Sequence, residues 1–159
     1  MTNITNEDIL NAQKKWADGL VEIGRSFEMK EDYQAVAEAL LNDLYGYHLE
    51  HGVVLFKPTK AYEIPFRGTY EGALSYFIGG NEKFPEDKGF ALEPWAKIKF
   101  YNHNIYFHKE VAIVMGYYVF TSVANTEAKV EYTFGYTKDQ YDKLKIILHH
   151  SSLPYSIDN

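Results

Sequence analysis

The chain has 159 residues, no cysteine and a formal net charge of −6. This length fits a single domain, residues 1–159, that buries a core without disulfides. The acidic balance argues against nucleic acid as a partner, because a nucleic-acid surface needs a basic face, and the missing cysteines exclude thiolate nucleophiles and thiolate metal ligands.

The longest nearly apolar stretch is VAIVMGYYVFTSVA, residues 111–124. It is shorter than the roughly 20 apolar residues that span a bilayer, and its β-branched and aromatic side chains are typical of a strand. The first ten residues show neither the basic nor the apolar region of a signal peptide. We therefore expect a cytoplasmic protein with no membrane partner.

Three helices are predicted in the first half of the chain. Thr5 and Asp8 have the spacing of a capping box, and apolar residues then recur with helical spacing over about 6–24. A second apolar stripe covers 33–44. A shorter helix is predicted in YEGALSYFIGG, residues 70–80, where two glycines end it.

From residue 53 the apolar residues recur with a period of two, which is typical of strands. Strands are predicted in VVLFKP, AKIKFYN, IYFHK, VAIVMGYYVFTSV, KVEYTFGYTK and KLKIILHHSS, with NHN, ANTEA and KDQYD as polar turns. Helices followed by a run of neighbouring strands predict an α+β fold with a curved antiparallel sheet. The N-terminal helices on this sheet form a cone with one open end, and the space between the two layers suits a small ligand.

The last predicted strand ends in two histidines and two serines. Strand alternation places His149 and Ser151 on one face and His150 and Ser152 on the other. In a strand without a bulge, the aliphatic residues at the even positions of 144–148 share a face with His150. His149 and Ser151 are then on the more polar face. A competing interpretation is a strand end whose polar side chains are simply hydrated.

Metal and nucleophile chemistries have weaker support. His48 and His51 could present two imidazoles on one helical face, but zinc needs three or four ligands. Histidines near a helix C-terminus are also favoured by the helix dipole. The HHSS stretch lacks the GxSxG elbow of serine hydrolases, and GALSYFIGG lacks the lysine of a P-loop. No metal or other cofactor is therefore predicted.

Five motifs occur together in this order: FKPTKA, GALSYFIGG, EDKGFALEPW, KVEYTFGY and LHHSSLPY. In combination they resemble the iota class of carbonic anhydrases, over about residues 9–155. The resemblance implies a cone-shaped fold of the nuclear-transport-factor-two-like type, related to the association domain of calcium/calmodulin-dependent kinase type II. It also implies the reversible hydration of carbon dioxide to bicarbonate without a metal ion.

The resemblance assigns four catalytic positions by motif. Thr59 lies in FKPTKA and Tyr76 in GALSYF, while the first histidine and first serine of HHSS are His149 and Ser151. His149 would orient or deprotonate the attacking water, directly or through Ser151, because the ordinary pKa of histidine lies near neutral pH. Thr59 and Tyr76 would donate hydrogen bonds to the bicarbonate-like transition state.

Two other functions stay open on the same fold. An isomerase or dehydratase acting on a ring substrate needs a carboxylate base in a large cavity, and Glu131 lies within a late predicted strand. A ligand-binding or oligomerisation module needs no catalytic hydroxyl at all. A small cavity that brings together the four positions of the resemblance would favour the anhydrase.

The strand predicted within 111–123 is apolar on both of its faces. A strand of this kind needs a cover on each face, because contiguous apolar surface is rarely left exposed. We therefore expect a homodimer that pairs through the sheet.

Overall fold

The computed structural model describes residues 2–157. In this part of the chain the helices are α1 Asn6–Glu28, α2 Tyr33–Leu44 and α3 Tyr70–Ile78, and the strands are β1 Leu55–Lys57, β2 Trp95–His108, β3 Val111–Ser122, β4 Glu127–Lys138 and β5 Leu144–Ser152. Two short 3-10 helices cover Gly46–His48 and Phe90–Leu92. None of the helices between residues 2 and 157 is long and apolar enough to cross a membrane.

Helix α1 begins at the predicted capping box. The Thr5 hydroxyl accepts a hydrogen bond from the Asp8 amide at 3.1 Å, and the Asp8 carboxylate accepts one from the Thr5 amide at 2.9 Å. The helix continues to Glu28, beyond the predicted end at residue 24. Its apolar face, which includes Trp16 and Leu20, is buried.

The sheet has the strand order β1-β5-β4-β3-β2. Strands β2 to β5 form an antiparallel meander, as predicted. The prediction of a purely antiparallel sheet is wrong for β1, which pairs with β5 in parallel. The direction of β1 is not set by a hairpin, because α3 and the whole meander separate it from its partner.

The predicted turn NHN is part of one continuous strand. In β2 the pairing with β3 shifts between Asn102 and Asn104, which leaves His103 as an extra residue. Such a β-bulge bends a strand without ending it. The prediction of two separate strands is therefore wrong, because polar residues at a bulge resemble a turn in sequence.

Another bulge lies in β5. Ile147 has no partner in β4, so the alternation of side chains reverses at this residue. As a result Ile146 and His149 both face the helices and are buried. The expectation that Ile146 shares a face with His150 is wrong for this reason. The predicted grouping of His149 with Ser151 is confirmed, because both residues follow the bulge.

Gly116 in β3 lies opposite Asn102, beside the bulge of β2. A Cβ atom at this position would collide with the carbonyl oxygen of Tyr101 and would lie 2.7 Å from the Tyr132 hydroxyl. Glycine is therefore needed here for close approach of the neighbouring strand.

We expect Gly116→Ala to lower the free energy of unfolding by about 1–3 kcal/mol, because the added methyl group meets backbone that cannot move aside. Urea unfolding measures this change. Gly68→Ala is the control, since a Cβ at Gly68 would lie 3.9 Å from the nearest side chain, that of Val53. This variant should change stability by less than about 0.5 kcal/mol. Equal stability of the two variants would contradict this account of Gly116.

Candidate active site

A small cavity lies between the helices and the sheet. Its volume is about 10 Å³, roughly what one water molecule needs. The lining residues are Trp16, Phe56, Pro58, Thr59, Tyr76, Phe77, Phe90, Tyr118, His149 and Ser151. All four positions predicted for catalysis are among them. The larger depressions of about 480 and 730 Å³ are open grooves rich in charged side chains, and they contain none of these four.

Three separate segments bring these four side chains together. Thr59 follows strand β1, Tyr76 lies in α3, and β5 supplies His149 and Ser151. The parallel pairing of β1 with β5 places Phe56 directly opposite His149. Thr59 comes shortly after Phe56 in the chain and therefore also lies at the cavity.

The Tyr76 hydroxyl connects α3 to the loop after β1. It accepts a hydrogen bond from the Lys60 amide at 3.2 Å. Burial raises the pKa of Tyr76, and hydrogen bonds with the Lys60 amide and the Thr59 side chain offset only part of that rise. Tyr76 is therefore a neutral phenol at physiological pH, and its O–H remains a hydrogen-bond donor.

A buried ion pair anchors α3 to the two neighbouring loops. Arg67 is 1% exposed, and its two terminal nitrogens each donate to the Asp87 carboxylate at 2.7 Å. The same guanidinium donates to the backbone carbonyls of Ile64 and Gly72, and the Ser75 hydroxyl donates to Asp87 at 2.5 Å. This cluster ties the loop after β1, α3 and the loop before β2 into one unit.

Aromatic rings enclose the His149 imidazole. It stacks on Phe56 at 4.8 Å and on Phe134 at 4.0 Å between ring centroids, and Trp16 meets its edge at 5.7 Å. This burial lowers the pKa of His149 well below its ordinary value of 6.5, and the charge of His150 lowers it further. The ring is therefore neutral at physiological pH.

Both nitrogens of this ring make hydrogen bonds. Nδ1 lies 2.8 Å from the Tyr45 hydroxyl, which also accepts a hydrogen bond from Trp16 Nε1 at 2.9 Å. Nε2 lies 3.0 Å from Ser151 Oγ and 3.1 Å from the Tyr118 hydroxyl. The Ser151 and Tyr118 hydroxyls are hydrogen-bonded to each other. His149 is therefore the centre of a continuous buried network.

Sequence reasoning missed three members of this network: Trp16, Tyr45 and Tyr118. Trp16 is part of an apolar helical pattern and Tyr45 directly follows another, so neither carries a separate polar signal. For Tyr118 a signal exists, since it is a hydroxyl-bearing residue on the inward face of β3, where the other side chains except Ser122 are apolar. Its burial raises the pKa of its hydroxyl, which therefore stays protonated.

The residues weighed for other chemistries lie away from the cavity. Among residues 2–157 no group of three or more histidine, aspartate and glutamate side chains is arranged to hold a metal ion. His48 lies in a 3-10 helix, with its Nε2 2.6 Å from the Asn42 side-chain oxygen. Glu131 is exposed on strand β4, so it is not a base within the cavity.

Known proteins match this chain over nearly its whole length. The family model of metal-independent carbonic anhydrases matches residues 7–153. A metal-independent carbonic anhydrase from Nostoc sp. (strain PCC 7120 / SAG 25.82 / UTEX 2576) is 43% identical over 155 residues, which are 96% of this chain and 75% of that protein. The crystal structure of an iota-carbonic anhydrase from a cyanobacterium, complexed with bicarbonate, has a TM-score of 0.93 at 43% identity and covers 97% of this chain and 94% of that one.

Two less similar structures share the fold. A protein from Xanthomonas campestris, assigned as a calcium/calmodulin dependent protein kinase II association domain, has a TM-score of 0.53 at 25% identity over 76% of each chain. A member of the NTF2-like family from Streptomyces avermitilis, assigned as a dehydratase, has a TM-score of 0.59 at 13% identity over 94% of this chain and 96% of that one. The predicted nuclear-transport-factor-two-like fold is thus confirmed. By the match over residues 7–153, the chain belongs to the family of metal-independent carbonic anhydrases.

Proposed function

We propose that this chain is an iota-class carbonic anhydrase that hydrates carbon dioxide reversibly to bicarbonate without a metal. The observation that carries the proposal is the meeting of Thr59, Tyr76, His149 and Ser151 in one cavity of about 10 Å³. A cavity of this size excludes a ring substrate. Carbon dioxide is far smaller than any ring substrate. Membership of the family supports the same reaction.

Hydration joins the oxygen of water to the carbon of carbon dioxide and releases one proton. Negative charge develops on the substrate oxygens as the new bond forms. Without a metal to lower the pKa of water, catalysis depends on holding the two reactants in the geometry of attack and on hydrogen-bond donors that stabilise the developing charge. The cavity supplies the donors, since hydroxyl groups lie among its aromatic walls.

Four hydroxyls are candidates for these donors: those of Thr59, Tyr76, Tyr118 and Ser151. The Tyr76 oxygen already accepts the Lys60 amide, so its own hydrogen can be donated to a substrate oxygen. Burial keeps the Tyr118 phenol protonated. His149 acts on the substrate through Ser151 and Tyr118, since its Nε2 lies within 3.1 Å of both.

The alternative function is a ligand-binding or oligomerisation module of the same fold. The fold alone does not separate the two functions, and the structure assigned as a kinase II association domain shares it. The polar network around His149 favours the enzyme, because a module gains nothing from burying an imidazole and three hydroxyls beside a cavity.

We also propose that two copies of the chain pair through the outer face of the sheet. This face presents the apolar side chains of Ile113, Met115 and Tyr106, of which Met115 is 58% exposed and Tyr106 65%. Leaving such a row in water is unfavourable, and a second copy offers a matching surface. The cytoplasmic location expected from the sequence stays a prediction, which cell fractionation would test.

The first prediction concerns activity. Chelator-treated protein, with its metal content assayed alongside, should hydrate carbon dioxide in a stopped-flow indicator assay. Ser151→Ala should lower kcat/KM by roughly 10²–10³-fold, the effect of removing one donor to a developing oxyanion. Ser152→Ala is the matched control, because its side chain lies on the other face of β5, and it should retain full activity.

Absence of activity in the chelated wild-type protein, or equal activity of the two serine variants, would contradict this proposal. In the first case the binding module becomes the better account of the chain. Activity that appears only after zinc is restored would contradict the metal-free mechanism.

The second prediction concerns pH. Because the pKa of His149 is lowered in the folded protein, the unfolded chain binds more protons below pH 6.5, and stability falls as the pH falls through that value. Wild type should lose about 1.4 kcal/mol more than His149→Gln between pH 7.5 and 5.5. Urea unfolding at the two pH values measures the difference. His150→Gln, changed at an exposed site, should behave like wild type. Identical pH dependence in wild type and His149→Gln would show that the ring is not kept neutral.

The third prediction concerns the dimer. Met115→Glu should convert it to a monomer, because two copies of the new charge would be buried in the interface. Light scattering after size-exclusion chromatography measures the mass. Leu10→Glu is the control, since Leu10 is 48% exposed on α1, away from the sheet's outer face. A monomeric wild type, or a dimeric Met115→Glu variant, would rule out pairing through this face.

A further inference from the structure

A chain of buried hydrogen bonds reaches His149 from the side opposite the cavity hydroxyls. Trp16 Nε1 lies 2.9 Å from the Tyr45 hydroxyl oxygen, and this oxygen lies 2.8 Å from His149 Nδ1. Trp16 is 2% exposed, Tyr45 1% and His149 2%. The direction of every hydrogen bond in this chain can be derived from the chemistry of its first member.

Tryptophan is a donor only, so its N–H must point to the Tyr45 oxygen. The Tyr45 hydroxyl also has one hydrogen of its own, and a buried donor without an acceptor is costly. Within residues 2–157 the sole acceptor within hydrogen-bond distance of this hydroxyl is His149 Nδ1. Tyr45 therefore donates to Nδ1, and Nδ1 carries no proton.

A neutral imidazole has one proton on its two nitrogens. Since Nδ1 accepts from Tyr45, the proton is on Nε2. We propose that Trp16 and Tyr45 are positioning residues that hold His149 in the tautomer protonated on Nε2, so that His149 is a hydrogen-bond donor at the cavity and not the base that accepts the proton of water. The tautomer follows from the geometry alone, whereas its catalytic meaning rests on the proposed function.

This tautomer determines what the cavity hydroxyls can do. The Nε2 hydrogen points to the oxygens of Ser151 and Tyr118. These two groups have two hydroxyl hydrogens, and one is used in the bond between them. The other hydrogen has no acceptor among the described residues, and both hydroxyls line the cavity. One O–H is thus left for a substrate oxygen.

The opposite tautomer would remove this donor. An unprotonated Nε2 would attract the spare hydroxyl hydrogen, so Ser151 and Tyr118 would have no O–H to offer the substrate. Trp16 and Tyr45 therefore affect catalysis through the tautomer of His149, which keeps a hydroxyl donor available in the cavity. The proton released by hydration is then transferred to water and does not reside on His149.

Nuclear magnetic resonance tests the tautomer directly. The five other histidines are all exposed, so a variant with each replaced by glutamine retains His149 as its single histidine. With ¹⁵N-labelled histidine, a long-range ¹H–¹⁵N correlation should show Nδ1 at the shift of an unprotonated nitrogen and Nε2 at that of a protonated one. The pattern should be the same at pH 8 and pH 6. A protonated Nδ1, or an imidazolium at pH 6, would overturn the inference.

Tyr45→Phe tests the positioning role, because it removes the donor to Nδ1 and keeps the ring. In this variant the two ¹⁵N shifts should move toward each other as both tautomers become populated. The value of kcat should fall roughly 10- to 100-fold, the loss seen when the hydrogen-bond partner that orients a metal-bound histidine is removed, with a smaller change in KM. Unchanged ¹⁵N shifts in Tyr45→Phe would overturn the role of Tyr45 whatever the activity.

Tyr136→Phe is the matched control. Tyr136 is equally buried in the same core and stacks on Phe134, but its hydroxyl makes no hydrogen bond to His149. This variant should leave the ¹⁵N shifts and kcat as in wild type. Because the shifts are measured without substrate, an inactive wild type with a protonated Nε2 would contradict the proposed function alone, and an active enzyme with a protonated Nδ1 would contradict only this inference.

Discussion

The unpaired Ile147 of β5 is the constraint on which the site depends. Ile146 before it packs in the core, and His149 and Ser151 after it face the same side of the sheet. Without the extra residue, a strand anchored by Ile146 would turn both polar side chains outward, because a shift of one residue moves every side chain to the other face. Because of the bulge, one short strand places Ile146 in the core and both His149 and Ser151 at the cavity.

The polar network is stable in an aromatic core because its members satisfy one another. In the part of the chain that the structure describes, no buried side-chain nitrogen or oxygen lacks a hydrogen-bond partner. In a medium of low dielectric constant such bonds are strong, and the loss of any one partner is expensive. The network therefore fixes a single arrangement of its rings and hydroxyls. The ion pair of Arg67 and Asp87 does the same for α3, which supplies Tyr76.

Local signals predicted the helices well. The capping box of Thr5, the apolar stripes and the glycines after α3 act within a few residues of each other. Strand alternation also grouped His149 with Ser151 correctly, although the face was assigned on the assumption of an unbroken strand. Bulges, by contrast, are determined by the partner strand, so neither His103 nor Ile147 could be identified from its neighbours in sequence. Tyr45 was missed for the same reason, since its role arises from a contact with His149, 104 residues away along the chain.

The stacking of His149 between Phe56 and Phe134 limits how the ring can move. These two phenylalanines belong to the strands on either side of β5, so a ring flip would require the sheet itself to open locally. A histidine that transfers protons to solvent usually alternates between an inward and an outward side-chain orientation. The stacking on Phe56 and Phe134 prevents this change for His149. The proton released by hydration therefore leaves the site without a change in the orientation of this ring.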